Sequence, residues 1–129
     1  MLPFPLSLRP GQPIYEQIVY AAKKALAQGL LAPGDRFPSV RTISEDLGVN
    51  PNTVQKAVAE LTSLGVLEVH PGQGCFVART ISPARTDGLR ALRPLIENLV
   101  IEASRHELRE ADVKKALAEE WHRLKRKEG

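Results

Sequence analysis

A short run of polar side chains between residues 52 and 56 carries the clearest chemistry in the chain. Asn52 and Gln55 each offer one amide donor and one acceptor, an arrangement that pairs bidentately with the N6 and N7 edge of adenine. Lys56 offers a cation to guanine or to a phosphate, and Thr53 offers a hydroxyl to a phosphate. Exposed polar residues on a helix are usually uninformative, so their meaning depends on the element that holds them.

The surrounding segment predicts a helix with one buried face. Asn50 is a good N-cap, Pro51 suits the first helical position, and Gly65 ends the helix. The apolar stripe comprises Val54, Ala57, Val58, Leu61 and Leu64. The polar side chains of residues 52, 53, 55 and 56 are therefore expected to face outward. Asn50 could also contact a nucleic acid, but a pure capping role is favoured for it.

A shorter helix is predicted just before this one, and the two together have the sequence form of a helix-turn-helix. Ser39 caps the shorter helix, Gly48 ends it, and its apolar positions are Val40, Ile43 and Leu47. Free amides in the first turn of each helix, with Ser39 and Thr53, suit a phosphate. Arg36, just upstream, reads equally well as a phosphate contact or as a solvated surface charge.

The following residues predict a β-hairpin, because a strand at 66–70 and a strand at 75–78 flank a glycine-rich turn. Gly72 and Gly74 allow a tight turn and a close approach of the backbone to a minor groove, with Gln73 at the tip. The same glycines would serve an ordinary hairpin, and the two roles are compatible.

The N-terminal residues predict an extended arm followed by a helix. Residues 1–12 contain three prolines and Gly11 without any periodicity. Pro13 suits the first position of a helix that ends near Gly29 and has its apolar face at Ile14, Ile18, Val19, Ala22, Ala25 and Leu26. A helix, a helix-turn-helix and a hairpin in this order predict a winged helix over residues 1–78, in a protein that is mainly α with a small β-hairpin.

Residues 79–129 predict apolar helical faces without a core of their own. One face comprises Leu89, Leu92, Leu95, Ile96, Leu99, Val100 and Ala103, and the other comprises Val113, Leu117, Trp121 and Leu124. The segment from His106 to Ala111 has neither Gly nor Pro, so the pattern allows one long helix or two. Since about fifty residues cannot build a useful private core, we expect a homodimer in which a second chain covers these faces. The expected dimer contacts are Leu92, Leu95, Ile96, Leu99, Val113, Leu117 and Trp121.

Composition narrows the class of protein. Residues 1–78 carry six basic and six acidic side chains, so the net charge of +3 lies beyond the predicted winged helix and does not by itself indicate nucleic-acid binding. A single cysteine, Cys75, excludes an internal disulfide. No apolar run approaches the ~20 residues of a membrane span, and no secretion signal is evident, which favours a cytoplasmic protein.

The sequence predicts neither an enzyme nor a metal or cofactor site. His70, His106 and His122 are scattered and lack the spacing of metal ligands. No nucleophile with a partner base, phosphate-binding loop or pair of carboxylates in a plausible cleft is recognisable.

Taken together, three stretches and the hairpin resemble the GntR family of bacterial regulators, in particular its short YtrA-like subfamily. The stretches are Pro13–Ile18, Gly34–Arg41 and Leu47–Ala57, and the hairpin segment is Gly72–Val77. The resemblance implies a dimeric repressor that binds a double-stranded DNA operator with an inverted repeat. It also implies that Arg41 contacts DNA and that a helix break falls near residues 106–109.

Some positions depart from the family pattern. Phe37 and Cys75 stand where Leu and Thr are usual, and Pro51 and Gln55 stand where some relatives have arginine. The base preferences of those relatives therefore do not transfer. The C-terminal part is also too small for the ligand domain of longer relatives, so an unidentified small-molecule effector would have to bind at the dimer interface.

The alternative is a winged helix that docks another protein rather than DNA. Such a surface would tend to expose apolar anchors. Asn52, Gln55 and Lys56 are polar and suited to bases instead, which favours DNA.

Overall fold

A computed structural model describes residues 2–79 and 85–126 of the chain. The helices are α1 (Ile14–Gln28), α2 (Val40–Leu47), α3 (Pro51–Ser63), α4 (Arg85–Arg105) and α5 (Glu110–Lys125), and the strands are β1 (Leu67–His70) and β2 (Gly74–Val77). The fold is thus mainly α with one antiparallel hairpin, as the sequence predicted. Two compact units are distinguished, one containing α1 to β2 and the other containing α4 and most of α5. The segment 80–84, within the predicted C-terminal region, lies outside the described residues.

The ends of the first three helices follow local capping rules. The Ser39 hydroxyl accepts a hydrogen bond from the Thr42 amide, and the Asn50 side chain accepts one from the Asn52 amide. Pro13 occupies the N-cap of α1 rather than its first helical position, so that detail of the prediction was wrong by one residue. Gly29 ends α1 in the left-handed conformation.

Helix α3 is the centre of the first unit, because it packs against α1, α2 and β1. The largest fully buried side chains are Ile18, Ile43, Val54 and Leu61, which come from all three helices. This core holds the helix-turn-helix rigid. Leu64, which the periodicity placed in the buried stripe, is 50% exposed because α3 ends at Ser63 and the chain turns there.

The N-terminal arm is part of this core. Phe4 is only 4% exposed and stacks on Phe37, with ring centroids 5.9 Å apart. The buried side chain of Gln17 fastens the arm to α1: its Oε1 accepts from the Arg9 amide at 2.8 Å, and its Nε2 donates to the Arg9 carbonyl at 2.9 Å and the Gln12 carbonyl at 3.1 Å. Because both ends of the amide are satisfied, burying this polar group costs little.

The segment immediately before α2 pairs with β2 through backbone hydrogen bonds and one isolated β-bridge, between Arg36 and Phe76. The amides of Gly34 and Phe37 donate to the carbonyls of Val77 and Cys75, each at 2.9 Å, and the Val77 amide donates to the Asp35 carbonyl at 2.8 Å. This pairing connects the hairpin to the entrance of the helix-turn-helix.

The second unit contains two separate helices. Glu107 lies between them with φ of 56°, and the Leu108 amide donates to the Ala103 carbonyl, which closes α4 with a Schellman-type turn. The carboxylate of Asp112 then accepts from the Arg109 amide at 2.9 Å, as in a capping box at the start of α5. The break therefore falls where the family resemblance placed it, in a segment that has neither glycine nor proline.

The apolar faces of the second unit are open to solvent. Leu92, Leu95, Ile96 and Leu99 of α4 are 42–66% exposed, and Leu117 and Trp121 of α5 are exposed as well. Val113 is half-buried. Among the described residues, α4 and α5 pack little against each other. No helix in the described ranges has the length and apolar character needed to cross a membrane.

Candidate nucleic-acid interface

Helix α3 separates an anchored face from an exposed polar face. Val54, Ala57 and Leu61 are fully buried, whereas Asn52 and Gln55 are exposed near the N-terminal end of the helix. The anchored face gives the two amide side chains a defined position, since the helix cannot rotate without opening the core. Two groups with base-type hydrogen-bonding capacity are thus presented to solvent on a rigid support.

The first turn of α3 does not offer the free amides that the sequence suggested. Pro51 has no N–H, the Asn52 amide donates to the Asn50 side chain at 2.8 Å, and the Thr53 amide donates to the Asn50 carbonyl at 3.0 Å. The Val54 amide donates to the same carbonyl. The expectation that the N–H groups of this turn are free was therefore wrong, and a phosphate contact at the turn stays a prediction. The Thr53 hydroxyl, half-buried, is the polar group left for such a contact.

Lys56 is held by an aromatic side chain of α1. Its Nζ lies 4.1 Å from the centroid of the Tyr15 ring. The Tyr15 hydroxyl contacts the carboxylate of Glu16 at 3.3 Å, and the negative charge of Glu16 raises the pKa of Tyr15, with smaller contributions from desolvation and from Glu60. Tyr15 therefore stays protonated at neutral pH and presents an uncharged ring to the ammonium group. The pattern did not reveal this role, although Tyr15 lies in one of the stretches that resemble the family.

Arg41 projects from the first turn of α2. Its Nε lies 2.9 Å from the Glu45 carboxylate, and its side chain is 88% exposed. Exposed pairs of this kind contribute only about 0–1 kcal/mol, so Glu45 orients the guanidinium without preventing another contact. Ser39, beside it, is occupied at the cap: its hydroxyl accepts from the Thr42 amide and donates to the Thr42 hydroxyl at 2.9 Å.

The hairpin turn is compact and carries Gln73 at its tip. The Gln73 amide donates to the His70 carbonyl at 2.9 Å, and Gly72 has φ of 76°, the features of a type II turn with Pro71 at its second position. Gln73 and Gly74 are exposed, as is Gly72.

Arg36 lies against this turn rather than apart from it. Its Nη2 donates to the Gln73 carbonyl at 2.7 Å, and its guanidinium lies 5.6 Å from the centroid of the Phe76 ring. On the same hairpin His70 stacks on Phe76, with centroids 4.6 Å apart, and His70 Nε2 lies 3.2 Å from the Glu68 carboxylate. The sequence offered no sign of this cluster because residue 36 is far from the hairpin along the chain.

Residues 2–79 and 85–126 contain no group of three His, Cys, Asp or Glu side chains arranged to hold a metal ion. Cys75 is a half-buried free thiol in β2.

A helix-turn-helix with an exposed polar second helix, followed by a hairpin joined to its entrance, defines a winged helix-turn-helix protein. Residues 14–77 match the family described as bacterial regulatory proteins, gntR family. The HTH-type transcriptional repressor YtrA of Bacillus subtilis is 34% identical over 96 residues, covering 74% of each chain. The chain belongs to the GntR family, within its YtrA-like group, and is a DNA-binding transcription regulator rather than an enzyme.

One solved structure is similar to the chain over nearly its whole length, and another is similar over little more than half of it. A protein of Listeria monocytogenes EGD-e described as a transcriptional antiterminator superposes with a TM-score of 0.80 at 28% identity, covering 95% of this chain and 92% of that one. The DNA-binding domain of AraR in complex with operator ORX1 has a TM-score of 0.52 at 30% identity, covering 57% of this chain and 93% of that one. The second of these is a relative of the winged helix bound to DNA.

Proposed function

We propose that the protein is a dimeric transcriptional repressor that binds an inverted-repeat operator. The observation that carries this proposal is the division of α3 into a fully buried face and an exposed face bearing Asn52 and Gln55. A helix with its side chains is about 10–12 Å across, which matches the ~12 Å width of the major groove. Each bidentate amide–adenine pair would discriminate against a wrong base by about 1–3 kcal/mol.

The backbone contacts follow from the groups around α3. Lys56 on its Tyr15 support, Arg41 beside Glu45, and the Thr53 hydroxyl are the groups we assign to phosphates or to the groove edge. The capping groups of Ser39 and Asn50 act on the DNA mainly through the positions of the helices they start.

The wing contributes a second, smaller contact. Gly72 and Gly74 leave two positions of the turn without a Cβ atom, and the exposed Gln73 reaches the minor groove. Arg36 stabilises the same turn by donating a hydrogen bond to the Gln73 carbonyl.

The dimer is inferred from the second unit. Monomeric proteins rarely leave a contiguous apolar face of this extent in water, and a second copy offers a self-complementary cover. Two-fold pairing through α4 and α5 would present two recognition helices to successive major grooves, which requires an inverted repeat. An effector, if one acts, would bind within this interface and change the spacing of the recognition helices.

Repression is proposed because the Bacillus subtilis relative that matches three quarters of the chain is described as a repressor. A reporter promoter containing the selected operator tests this: expression should fall when the protein is supplied and return with Gln55→Ala. A rise in expression on supplying the protein would show an activator.

Selection from a random duplex library at ~150 mM salt tests the DNA function, because that salt suppresses non-specific binding. An enriched inverted repeat is expected. Asn52→Ala and Gln55→Ala should each relax the preference at one base position of the half-site, whereas Ser63→Ala, exposed at the far end of α3, should leave the selected sequence unchanged. Lack of any enrichment with the folded protein would contradict the proposal.

Sedimentation velocity without DNA tests the pairing step. The wild-type protein should be a dimer at micromolar concentration, and Leu95→Glu should yield a folded monomer because Leu95 is exposed within one chain. Lys115→Glu, an exposed charge change on α5, is the matched control and should remain dimeric. A monomeric wild-type protein would refute this mode of pairing.

A further inference from the structure

We infer that Arg36 is a positioning residue for the wing, which sets the place of Gln73 instead of contacting a phosphate itself. This inference rests on the proposed DNA function and identifies how one part of that site is held. Its basis is three observations at the Arg36 side chain, a residue that lies far from the hairpin along the sequence.

The first contact is polar and directional. Arg36 Nη2 donates to the Gln73 carbonyl at 2.7 Å, a distance at the short end of the range for charge-assisted hydrogen bonds. The bond joins residue 36, which enters the helix-turn-helix, to the tip of the turn, residue 73. A substitution at residue 36 is therefore expected to affect the conformation of the tip directly, through this bond, and not through the strands of the hairpin.

The second contact is with the Phe76 ring, whose centroid lies 5.6 Å from the guanidinium carbon. Arg36 and Phe76 are also paired in register as an isolated β-bridge, so the backbone sets the side chain beside the ring. His70 stacks on the same ring, with centroids 4.6 Å apart. The guanidinium of Arg36 therefore packs against the Phe76 ring, within hydrogen-bonding distance of the Gln73 carbonyl.

The third observation concerns residue 74, where the φ of 113° by itself favours glycine. A Cβ built there would lie 3.3 Å from Arg36 Nη2, tighter than an ordinary contact. Gly74 therefore leaves the space that the guanidinium occupies on its way to the Gln73 carbonyl. The backbone pairing of residues 34–37 with β2 reaches as far as Cys75, and the bond from Arg36 to the Gln73 carbonyl extends this attachment to the tip.

The inference predicts an effect in the free protein, before any DNA is added. Arg36→Met keeps the apolar stem but removes the guanidinium that bonds the Gln73 carbonyl. The Gln73 amide, which donates to the His70 carbonyl in the same turn, should then exchange about fivefold faster, the effect of the turn losing one hydrogen bond of ordinary net strength. The overall fold should be unaffected because Arg36 is exposed. Arg41→Met, the control, should leave exchange at Gln73 unchanged. Unchanged exchange in Arg36→Met would overturn the inference, whatever the protein does with DNA.

Binding to the duplex recovered by selection with the wild-type protein supplies the second test. Arg36→Met should weaken binding about threefold to tenfold, while the slope of log K against log salt stays as in the wild type, because no phosphate contact is lost. Arg41→Met should reduce that slope by about one. A similar reduction in Arg36→Met would show a phosphate contact and refute the positioning role.

A double-mutant cycle separates the two roles further. If Arg36 acts only through the wing, Arg36→Met should add little loss in a Gln73→Ala background, where the reading side chain is already gone. Additive losses would show that Arg36 contacts DNA independently. If the wild-type protein selects no duplex, the proposed function fails while the exchange measurement still decides the role of Arg36.

Discussion

Replacing Phe4 by alanine should destabilise the winged helix far more than its place in a proline-rich arm suggests. A buried aromatic side chain removes about 150–250 Å² from water, and substitutions of this type in protein cores cost about 3–5 kcal/mol. Phe4 is 4% exposed and stacks on Phe37, so it falls within that class. The arm can peel away once its anchor is lost, which limits the cost, and we expect a loss of about 3 kcal/mol. In a domain of this size that corresponds to a fall in Tm of at least about 12 °C.

Urea unfolding of the full chain at one fixed protein concentration measures this loss, since the dimerisation proposed above would make stability depend on concentration. Ser7→Ala, at an exposed position of the same arm, should stay within about 0.5 kcal/mol of the wild type. A loss below that limit for Phe4→Ala would refute the reasoning, because the arm would then not belong to the core in solution. DNA affinity should fall with Phe4→Ala as well, since Phe37 leads directly into the cap of α2.

Three further substitutions test single contacts. Asn50→Ala leaves the Asn52 amide without its acceptor and should lower the free energy of unfolding by about 1 kcal/mol in urea titrations; an unchanged value would mean that another group caps α3. Glu107→Gly relieves a side chain at φ of 56° and should raise stability by about 0.5–1 kcal/mol by calorimetry, whereas a decrease would show that the Glu107 side chain itself stabilises the turn. Tyr15→Leu removes the ring beneath Lys56 and should weaken operator binding about twofold to fivefold in fluorescence anisotropy. In a Lys56→Met background it should have little further effect, and additive losses would contradict the support role.

Local rules accounted for the parts of the fold in which neighbouring residues decide the conformation. Ser39 and Asn50 start their helices through hydrogen bonds to amides within three residues, and Gly48 ends α2 in the left-handed conformation. The 3.6-residue period identified Val54, Ala57 and Leu61 as buried. These signals are short-range, so the helix-turn-helix and its exposed polar face could be predicted without a structure.

Predictions from periodicity failed where the chain leaves the helix. Leu64 continues the apolar period of α3 but is exposed, because the helix stops one residue earlier and the backbone turns. The break between α4 and α5 was likewise invisible to a composition rule that looks for glycine or proline. Glu107 adopts the left-handed conformation without being glycine, and Asp112 supplies the cap.

From the sequence alone came the order of elements, the buried stripe of α3, and the polar residues that face away from it, since each depends on contacts within one turn or one strand. Only the tertiary structure decided which distant residues meet. It placed Phe4 against Phe37, Tyr15 beneath Lys56, and Arg36 on the turn at Gln73. Each of these pairs joins segments at least thirty residues apart, and no local periodicity specifies such a pairing. The packing of the core around α3 brings these segments together. It thereby determines the positions of the side chains that we propose to contact DNA.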